Sequence, residues 1–370
     1  MNVLVAANYA TPASGNFISS MLELGLRLIE QGDSMIFIVP SNYNTQSEQS
    51  WVHWLEKNGF TVYLVDKEQE ESASLAFLQQ VIAKHHVDVL HLHFDMYHHL
   101  ATHHAKELGV KIVIHDHMYL AAGSSQLKQF AYYLAKSLIY RIKGISVISV
   151  NKYKSHAYFF ARHWFIPNGL SMKRNVEHSA TREECRSRLG FHDDEIVCLL
   201  LGWDPFIKGC DIAARAISAL RANKNIVLGI VGFGTPPNPK NKAWIGEKTG
   251  IDPDCEWIRY LPSTEDMFSY HRAADVYLST SRTEAFPYGV LETISQNNPV
   301  VVSDIKGTKW CENYTKAFVY PVEDADACAD AILNAIDAGE RESNAEAVIA
   351  PYSIDRWCER MIDIYHTICP

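Results

Sequence analysis

Two glutamates near the C-terminus have a type and spacing that could serve a phosphorylated ligand. Glu284 and Glu292 lie eight positions apart in the segment Ser-Arg-Thr-Glu-Ala-Phe-Pro-Tyr-Gly-Val-Leu-Glu, residues 281–292. A strand-like apolar run, Val276–Ser281, precedes them and a helix-like run follows. Open α/β folds bind phosphorylated ligands where a strand ends and a helix begins. We therefore expect one carboxylate in the loop and the other on the first turns of the helix, both directed at one ligand.

Metal-binding patterns are weak in this sequence. Four histidines with helical spacing could ligate zinc, but no Cys or carboxylate completes a set nearby, so a solvated histidine-rich face is favoured. These four are His98, His99, His103 and His104. Two acidic pairs stand where a loop and a helix start are expected, and neither predicts a metal site. They are Asp252/Asp254 and Asp324/Asp326. All eight cysteines follow residue 184 without a CxxC pair, which indicates reduced, buried thiols.

Short apolar strands alternate with amphipathic helices along the whole chain, which predicts parallel sheets in doubly wound α/β domains. The predicted strands of the first half are 2–7, 35–39, 61–65, 87–94, 111–115 and 145–150, and the helices are 16–31, 73–84 and 126–143. The predicted strands of the second half are 196–202, 226–231, 256–260, 276–281 and 299–303. Ser263–Asp266 has the pattern of a capping box that starts a helix.

The break between the two series falls at Ile166-Pro167-Asn168-Gly169, a turn signal followed by a polar, linker-like stretch at 171–181. The sequence thus predicts an N-terminal domain at 1–170 and a C-terminal domain at 171–352. The terminal amphipathic helix, 353–370, is expected to pack back onto the first domain.

Charge is distributed unevenly over a chain of 370 residues with a net charge of −9. Residues 1–175 hold 15 Lys/Arg and 13 Asp/Glu (+2), and the rest hold 19 and 30 (−11). The segment 118–176 has nine Lys/Arg and no acidic residue. It could face an anionic membrane or a phosphorylated acceptor, or could be an ordinary solvated face. The start of the chain lacks a basic signal-peptide region and no apolar run is long enough to span a membrane, so a cytoplasmic protein is expected.

The helix predicted at 126–143 carries aromatic and basic residues together, which suits a membrane interface. Its first face, if taken alone, is expected to be core; this face comprises Leu127, Phe130, Leu134, Leu138 and Ile142. Toward the other side lie Tyr132, Tyr133, Lys136, Tyr140 and Lys143. Contact with the inner face of a membrane through this helix is therefore a hypothesis.

Six motifs in order resemble those of the GT-B retaining glycosyltransferases of family 4. They are Asp88-Val89-Leu90-His91-Leu92-His93, Ile114-His115-Asp116, Ile166-Pro167-Asn168-Gly169, Lys208-Gly209-Cys210-Asp211, Val231-Gly232-Phe233-Gly234 and the Glu284/Glu292 pair. Each motif is weak alone, and the order makes the set specific. The resemblance covers most of the chain and implies two Rossmann-like domains with a ligand cleft between them.

The resemblance also implies roles for individual residues. Lys208 would bind the donor diphosphate, Glu292 the ribose hydroxyls, and Glu284 would lie beside the transferred sugar. His115 would contact the donor sugar or the developing charge, with His117 as its rival. Further donor-binding positions implied are Gly15, Gly232, Phe286, Pro287, Tyr288, Gly289, Tyr260 and Leu261, and His93 joins His117 on the acceptor side.

The implied reaction moves a sugar from a UDP- or GDP-sugar to a saccharide or lipid-linked acceptor with retention, by front-side return or through a covalent intermediate. No metal, other cofactor or nucleic-acid partner is expected, because Lys208 and helix N-termini would meet the diphosphate charge. Surface-polysaccharide or glycoconjugate synthesis fits the basic stretch best.

Several positions depart from the family pattern. The usual arginine before the lysine is missing from Gly202-Trp203-Asp204-Pro205-Phe206, the usual Glu-Gly-Phe is Glu284-Ala285-Phe286, and Gln296-Asn297 replaces a small residue and Gly. The acidic residue that the family often has past the final strand is also absent near Trp310. These changes leave open a non-catalytic subunit that supports a partner enzyme. A nucleotide-sugar isomerase also stays open, whereas a dinucleotide oxidoreductase is disfavoured by the incomplete glycine motif.

Overall fold

The computed structural model describes residues 1–47, 50–66, 70–118, 126–173, 180–338 and 342–370. The chain divides into two compact units, one formed by Met1–Asn175 with Tyr352–Pro370 and the other by Val176–Pro351. Part of the predicted linker, residues 174–179, lies outside the described residues.

The first unit contains a parallel sheet of seven strands in the order β3-β2-β1-β4-β5-β6-β7. Its strands are β1 (Asn2–Ala7), β2 (Ser34–Pro40), β3 (Thr61–Val65), β4 (Val89–His93), β5 (Lys111–Asp116), β6 (Ser146–Ser149) and β7 (Arg162–Phe165). The helices are α1 (Gly15–Glu30), α2 (Tyr43–Gln46), α3 (Trp51–Lys57), α4 (Glu71–His85), α5 (His98–His103), α6 (Ala105–Leu108) and α7 (Gln126–Lys143). A 3₁₀ helix spans Lys152–Tyr158.

The second unit contains a parallel sheet of six strands in the order β10-β9-β8-β11-β12-β13. Its strands are β8 (Ile196–Leu201), β9 (Ile226–Val231), β10 (Ile258–Leu261), β11 (Val276–Ser279), β12 (Val300–Ser303) and β13 (Ala317–Tyr320). The helices are α8 (Arg182–Leu189), α9 (Cys210–Leu220), α10 (Pro239–Thr249), α11 (Met267–Ala273), α12 (Tyr288–Ser295), α13 (Ala325–Asp337) and α14 (Ala345–Ile349). Short 3₁₀ helices span Lys309–Cys311 and Ala350–Tyr352.

These sheets confirm the predicted doubly wound α/β fold. The central strands are buried on both faces, as the continuous apolar runs of parallel sheets require. Two strands escaped prediction, β7 and β13, and each lies at an edge of its sheet. The β7 sequence, Arg-His-Trp-Phe, is partly polar, as an edge strand allows, whereas β13, Ala-Phe-Val-Tyr, is a short apolar run that was overlooked.

The predicted capping box at Ser263–Asp266 was wrong. Helix α11 begins only at Met267, and Asp266 is its N-cap, accepting a hydrogen bond from the Ser269 N–H (3.0 Å). Residues 263–265 therefore precede the helix, and the Asp266 side chain alone accepts from a free N–H of the first helical turn.

The terminal helix α15 (Ile354–Ile368) belongs to the first unit and packs along α1. The backbone at Leu170 donates to the Tyr352 carbonyl (2.7 Å) and brings the start of this helix to the Pro-Asn-Gly turn. At Gly169 an added Cβ would lie 2.6 Å from the Cβ of Trp357. That turn therefore needs glycine because Trp357 of α15 packs directly against its backbone.

The prediction of which side of α7 faces the core was wrong. The apolar residues expected in the core are exposed: Phe130, Leu134, Leu138 and Ile142. The Leu127 side chain lies outside the described ones. Instead, Ser137 and Tyr140 are buried, since Ser137 Oγ accepts from the Phe160 and Ala161 N–H groups and the Tyr140 hydroxyl bonds His98.

Candidate functional site

The strand order of the second unit puts a ligand-binding crevice at one defined position. The order reverses between β8 and β11, and open α/β sheets bind ligands at the carboxyl ends of the two strands that flank such a reversal. The loops after β8 and β11 meet there. The Arg282 N–H donates to the Ile207 carbonyl (2.8 Å), and Thr280 Oγ1 donates to the carbonyls of Lys208 (2.8 Å) and Gly209 (3.0 Å).

Lys208 and Glu284 form an ion pair at this crevice, although 76 positions separate them in sequence. Their side chains are 13% and 14% exposed, so both are shielded without being sealed from a ligand. Ser281 Oγ donates to Glu284 Oε1 (2.9 Å) and holds the carboxylate in place. The Lys208 ammonium also lies 5.4 Å from the centre of the exposed Trp203 ring. A shielded ammonium here has the charge and reach to bind a phosphate.

Gly209 fixes the backbone that carries Lys208. Its φ is +62°, and an added Cβ would lie only 2.0 Å from the Thr280 carbonyl oxygen. It is the N-cap of α9, and no side chain caps that helix. The dipole of α9 therefore adds positive potential beside the lysine.

Arg282 is committed to structural ion pairs. Its guanidinium donates to both oxygens of Asp211 (3.0 and 2.9 Å) and to Glu323 (2.7 and 3.1 Å). These bonds join the loop after β11 to the start of α9. Two carboxylates already neutralise the guanidinium, so Lys208 is the better candidate for a phosphate ligand.

Glu292 has a more enclosed position than its partner in sequence. It lies on α12 with 4% of its surface exposed, and its Oε2 is 3.5 Å from His271 Nε2. The helix approaches β11 closely, because an added Cβ on Gly289 would lie 2.1 Å from the Tyr277 hydroxyl. Burial, and then the charges of Glu284 and Glu292, raise the pKa of Tyr277 well above its usual value, so this phenol stays protonated.

Trp310 and Gly307 support the loop that enters α12, and the sequence analysis predicted no role for either. Phe286 stacks on Trp310 with ring centres 4.7 Å apart, and Pro287 is the N-cap of α12. An added Cβ on Gly307 would lie 2.3 Å from the Glu284 carbonyl oxygen. In the sequence, Gly307 is recognisable only as a glycine after a predicted strand, and many turns share this feature.

The remaining predicted donor-binding positions lie in or just after the neighbouring strands β9 and β10. Gly232 follows β9 with a φ of +103°, and its Cα faces the backbone of Trp203. The Tyr260 ring stacks on Phe233 (5.4 Å), and its hydroxyl donates to the Pro253 carbonyl (2.9 Å). Leu261 is buried in the core. The side chains of Tyr260 and Leu261 are thus used in packing, and base contacts from this segment stay a prediction.

The first unit gathers histidines at the corresponding edge of its sheet. His93 ends β4 and lies opposite His115 on β5, and both are buried. His117 is half-buried, stacks on His115 (4.3 Å) and hydrogen-bonds His93 (Nδ1 to Nε2, 2.9 Å). Gly15, with a φ of +53°, starts α1 close to the Tyr9 hydroxyl.

Asp116, between two of these histidines, is held by a buried lysine. Lys154 Nζ contacts both carboxylate oxygens (2.9 and 2.8 Å), and the Tyr158 hydroxyl and the Met118 N–H also donate to Asp116. Burial alone would raise the pKa of Asp116, but the lysine and these hydrogen bonds lower it overall. This network fixes the end of β5, and the sequence analysis did not single out Lys154.

The histidine-rich face on α5 meets carboxylates that the sequence analysis did not find. His104 lies 3.5 Å from Glu71 and 3.0 Å from Glu107, and His99 lies 3.8 Å from Glu71. Glu71 comes from α4, 28 or more positions earlier, so sequence proximity could not identify it. The predicted acidic pairs are engaged elsewhere: Asp254 pairs with Lys242 and Asp324 caps α13.

Similarity to known proteins bears on the crevice of the second unit. Residues 195–338, which contain both Lys208 and Glu284, match the family described as glycosyl transferases group 1. The second unit thus matches a glycosyltransferase family.

Individual relatives are distant. A D-inositol 3-phosphate glycosyltransferase from Mycobacterium sp. (strain KMS) is 25% identical over 171 residues, which are 46% of this chain and 36% of that protein. The chain thus spans about a third of the length of this curated relative.

Among solved structures, a glycosyltransferase from Rickettsia africae has a TM-score of 0.78 at 17% identity, with 100% of this chain and 98% of that chain covered. Anabaena Alr3699/HepE in complex with UDP-glucose has a TM-score of 0.78 at 14% identity, with 99% and 100% covered. At these identities the similarity shows the fold, the two-domain GT-B architecture of glycosyltransferases. The family match covers residues 195–338, less than half of the chain, and these solved structures show the fold alone.

One finding concerns membranes. Within the described part of the chain, no helix is both long enough and apolar enough to span a bilayer.

Proposed function

We propose that this protein transfers a sugar from a UDP- or GDP-sugar to a saccharide or lipid-linked acceptor, with retention at the sugar's anomeric carbon. One observation carries the proposal. The Lys208–Glu284 pair, held by Ser281, lies at the β8/β11 reversal of the unit that matches the glycosyltransferase family. This arrangement supplies a shielded cation and a fixed carboxylate where such folds bind ligands.

Lys208 meets the charge of the leaving diphosphate. When the donor binds, the ammonium exchanges its contact with Glu284 for a phosphate oxygen, and the N–H groups at the starts of α9 and α12 add to the positive potential. Since Asp254 and Asp324 already have structural partners, we propose no metal ion at the diphosphate.

Glu284, released from the lysine, positions the hydroxyls of the transferred sugar or stabilises its oxocarbenium-like transition state. Glu292 accepts hydrogen bonds from the ribose hydroxyls. In front-side return, the bond from the anomeric carbon to the diphosphate oxygen breaks, the acceptor oxygen bonds to the same face, and the departing phosphate takes the acceptor's proton. This route needs no separate base.

The first unit supplies the acceptor side. Of the two rival histidines, half-buried His117 is open to a ligand, while buried His115 lies behind it in the ring stack. Gly15 at the start of α1 lets a ligand approach the backbone closely. His93 supports His117 through their hydrogen bond.

Surface-polysaccharide or glycoconjugate synthesis on the inner face of a membrane fits the surface of α7. Five large apolar residues of this helix are exposed, namely Phe130, Leu134, Leu138, Ile139 and Ile142, and the exposed Phe159 follows in the segment bonded to Ser137. Lys136 and Arg141 provide positive charge on the same helix. An anionic bilayer would cover this apolar surface and attract its cations.

Donor binding is tested by thermal unfolding of the full chain with UDP, GDP, ADP, dTDP and CMP. A nucleotide at a hundred times its dissociation constant should add about 2.7 kcal/mol of stability. We expect UDP or GDP to stabilise the wild type but neither Lys208→Ala nor Glu292→Ala. The matched control is Lys309→Ala, which removes a partly exposed, ion-paired lysine of the same unit and should keep the shift. Equal stabilisation of all four proteins by the nucleotide would contradict the assigned site.

Catalysis is tested by single-turnover transfer of a radiolabelled sugar from the donor so identified. Glu284→Ala should abolish transfer while the nucleotide still binds. If the variant transfers sugar at the wild-type rate, Glu284 is not at the reacting centre.

Membrane contact is tested by flotation with vesicles containing anionic lipid. Ile142→Ser with Phe159→Ser should weaken binding, as should Lys136→Glu with Lys143→Glu. Leu64→Ser removes another exposed apolar residue of the same unit and should leave binding unchanged. Unchanged flotation of the α7 variants would exclude this surface.

A further inference from the structure

Three buried histidines converge on one face of the first sheet. His91 and His93 alternate on β4 and therefore point to the same side, and His115 on β5 lies in register with His93. The three residues are 0%, 0% and 3% exposed. The sequence analysis treated His115 and His93 as separate ligand contacts, because β4 and β5 are far apart in the sequence although they are neighbours in the sheet.

The ring nitrogens of this cluster are short of hydrogen bonds. Among the described residues, Nε2 of His91, Nε2 of His93 and both nitrogens of His115 have no partner. A buried polar atom without a partner costs roughly 1–3 kcal/mol, so four of them within three neighbouring side chains call for a bound species.

The geometry suits a metal ion. One ring nitrogen from each histidine lies within 4.8 Å of the other two. Any three points so spaced have a common point no more than about 2.8 Å from each. Zinc binds imidazole nitrogen at about 2.0–2.1 Å, so movements of less than about 1 Å by each ring would complete a three-histidine site.

Two further contacts orient the rings as metal ligands require. His91 Nδ1 bonds the Tyr365 hydroxyl (2.7 Å), and His93 Nδ1 bonds His117 Nε2 (2.9 Å). When each Nδ1 carries the proton and donates it, each Nε2 keeps a lone pair that no described residue uses. Metal-binding histidines are generally held in this way by a partner on the other nitrogen.

We propose that His91, His93 and His115 bind a divalent transition-metal ion of the Zn²⁺, Co²⁺ or Ni²⁺ class. Imidazole suits these ions, and three protein ligands leave a fourth position for water, hydroxide or a substrate oxygen. The site lies at the carboxyl ends of β4 and β5, the edge at which open α/β sheets bind ligands. It is separate from the donor diphosphate, which the proposed function assigns to the second unit, and metal binding does not depend on that function.

Cobalt is the direct probe, because Co²⁺ in a four- or five-coordinate site absorbs visible light whereas the hexaaquo ion absorbs weakly. The background protein is the full chain with His99→Ala and His103→Ala, which removes the exposed histidine pair on α5 (rings 4.0 Å apart). We expect this protein to bind stoichiometric Co²⁺ with the strong visible band. Adding His93→Asn or His115→Gln should remove the band while the far-ultraviolet circular dichroism stays native.

Two results would overturn the proposal. One is the absence of the band in the folded background protein, and the other is its persistence in both cluster variants. If neither variant folds, X-ray absorption of the zinc-loaded background protein decides. Three imidazoles at about 2.0–2.1 Å support the site, and fewer than three overturn it.

Discussion

Replacing Gly209 by alanine should damage both the stability of the protein and the proposed nucleotide site. The new Cβ would lie 2.0 Å from the Thr280 carbonyl oxygen, far inside ordinary contact distance, and the φ of +62° is itself unfavourable for an L residue. Relief of the clash requires the loops after β8 and β11 to separate. Lys208 and Glu284 lie on those two loops, so their pairing should be lost together with the packing.

The magnitude follows from comparison with Gly190, which ends α8 at a φ of +74° with nothing within 4 Å of an added Cβ. A left-handed L residue costs about 1–2 kcal/mol, and the stiffer unfolded chain returns about 0.4–1 kcal/mol. Gly190→Ala should therefore cost about 1 kcal/mol. Gly209→Ala should also lose the hydrogen bond that the single Thr280 hydroxyl proton shares between the carbonyls of Lys208 and Gly209, worth about 1 kcal/mol. Its total cost should therefore be about 2 kcal/mol.

Urea unfolding of the full chain measures the difference, with fluorescence and circular dichroism compared because a protein of two units can unfold in steps. Calorimetric titration with the stabilising nucleotide provides the second measurement. We expect Gly190→Ala to bind nucleotide as the wild type does and Gly209→Ala to bind at least tenfold more weakly. Equal destabilisation by the two substitutions, with equal nucleotide affinity, would refute the claim that the Thr280 contact sets the position of Lys208.

Two further predictions concern buried charges. Glu195 is 7% exposed and is paired with Arg259; burial alone would raise its pKa, but the arginine lowers it overall. Its ionised form thus stabilises the fold above the unfolded-state pKa, and this contribution disappears as pH falls through the lower folded-state pKa. Glu195→Gln should lower the free energy of unfolding by about 2 kcal/mol at pH 7 and by much less in acid. Urea unfolding of the wild type and the variant measures this loss, and an equal loss at the two pH values would exclude the pairing. Asp116→Asn leaves the Lys154 ammonium buried without its carboxylate and should lower the free energy of unfolding by about 3–5 kcal/mol. The double variant Asp116→Asn with Lys154→Met should recover part of this loss. A double variant no more stable than the single one would count against the pair.

Several features could be predicted from the sequence because their signals are local. Apolar runs of strand length alternating with amphipathic helices are enough to predict two parallel sheets, since strands buried on both faces need continuous apolar sequence. Glu284 was recognisable after a predicted strand for the same reason, whereas Lys208 was identified through the resemblance to a known family. The roles of both residues in a reaction stay a prediction.

The side of α7 that faces the protein was not predictable in this way. A helical period shows that Phe130, Leu134 and Leu138 share a face, yet it does not show which elements cover that face. The structure buries Tyr140 instead, because His98 from α5 gives its hydroxyl a partner. Burial of a phenol depends on that partner, which comes from 42 positions earlier in the chain.

The sequence by itself therefore determined the doubly wound class, most of the strands and their order along the chain, and the residue types that end them. Only the tertiary structure decided which of those residues meet: Lys208 with Glu284, and His91 and His93 with His115. The physical reason is that neighbouring strands of a parallel sheet are joined by long crossovers. Side chains that come within a few ångströms at the sheet edge are thus separated by tens of residues, and their pairing depends on strand order and register.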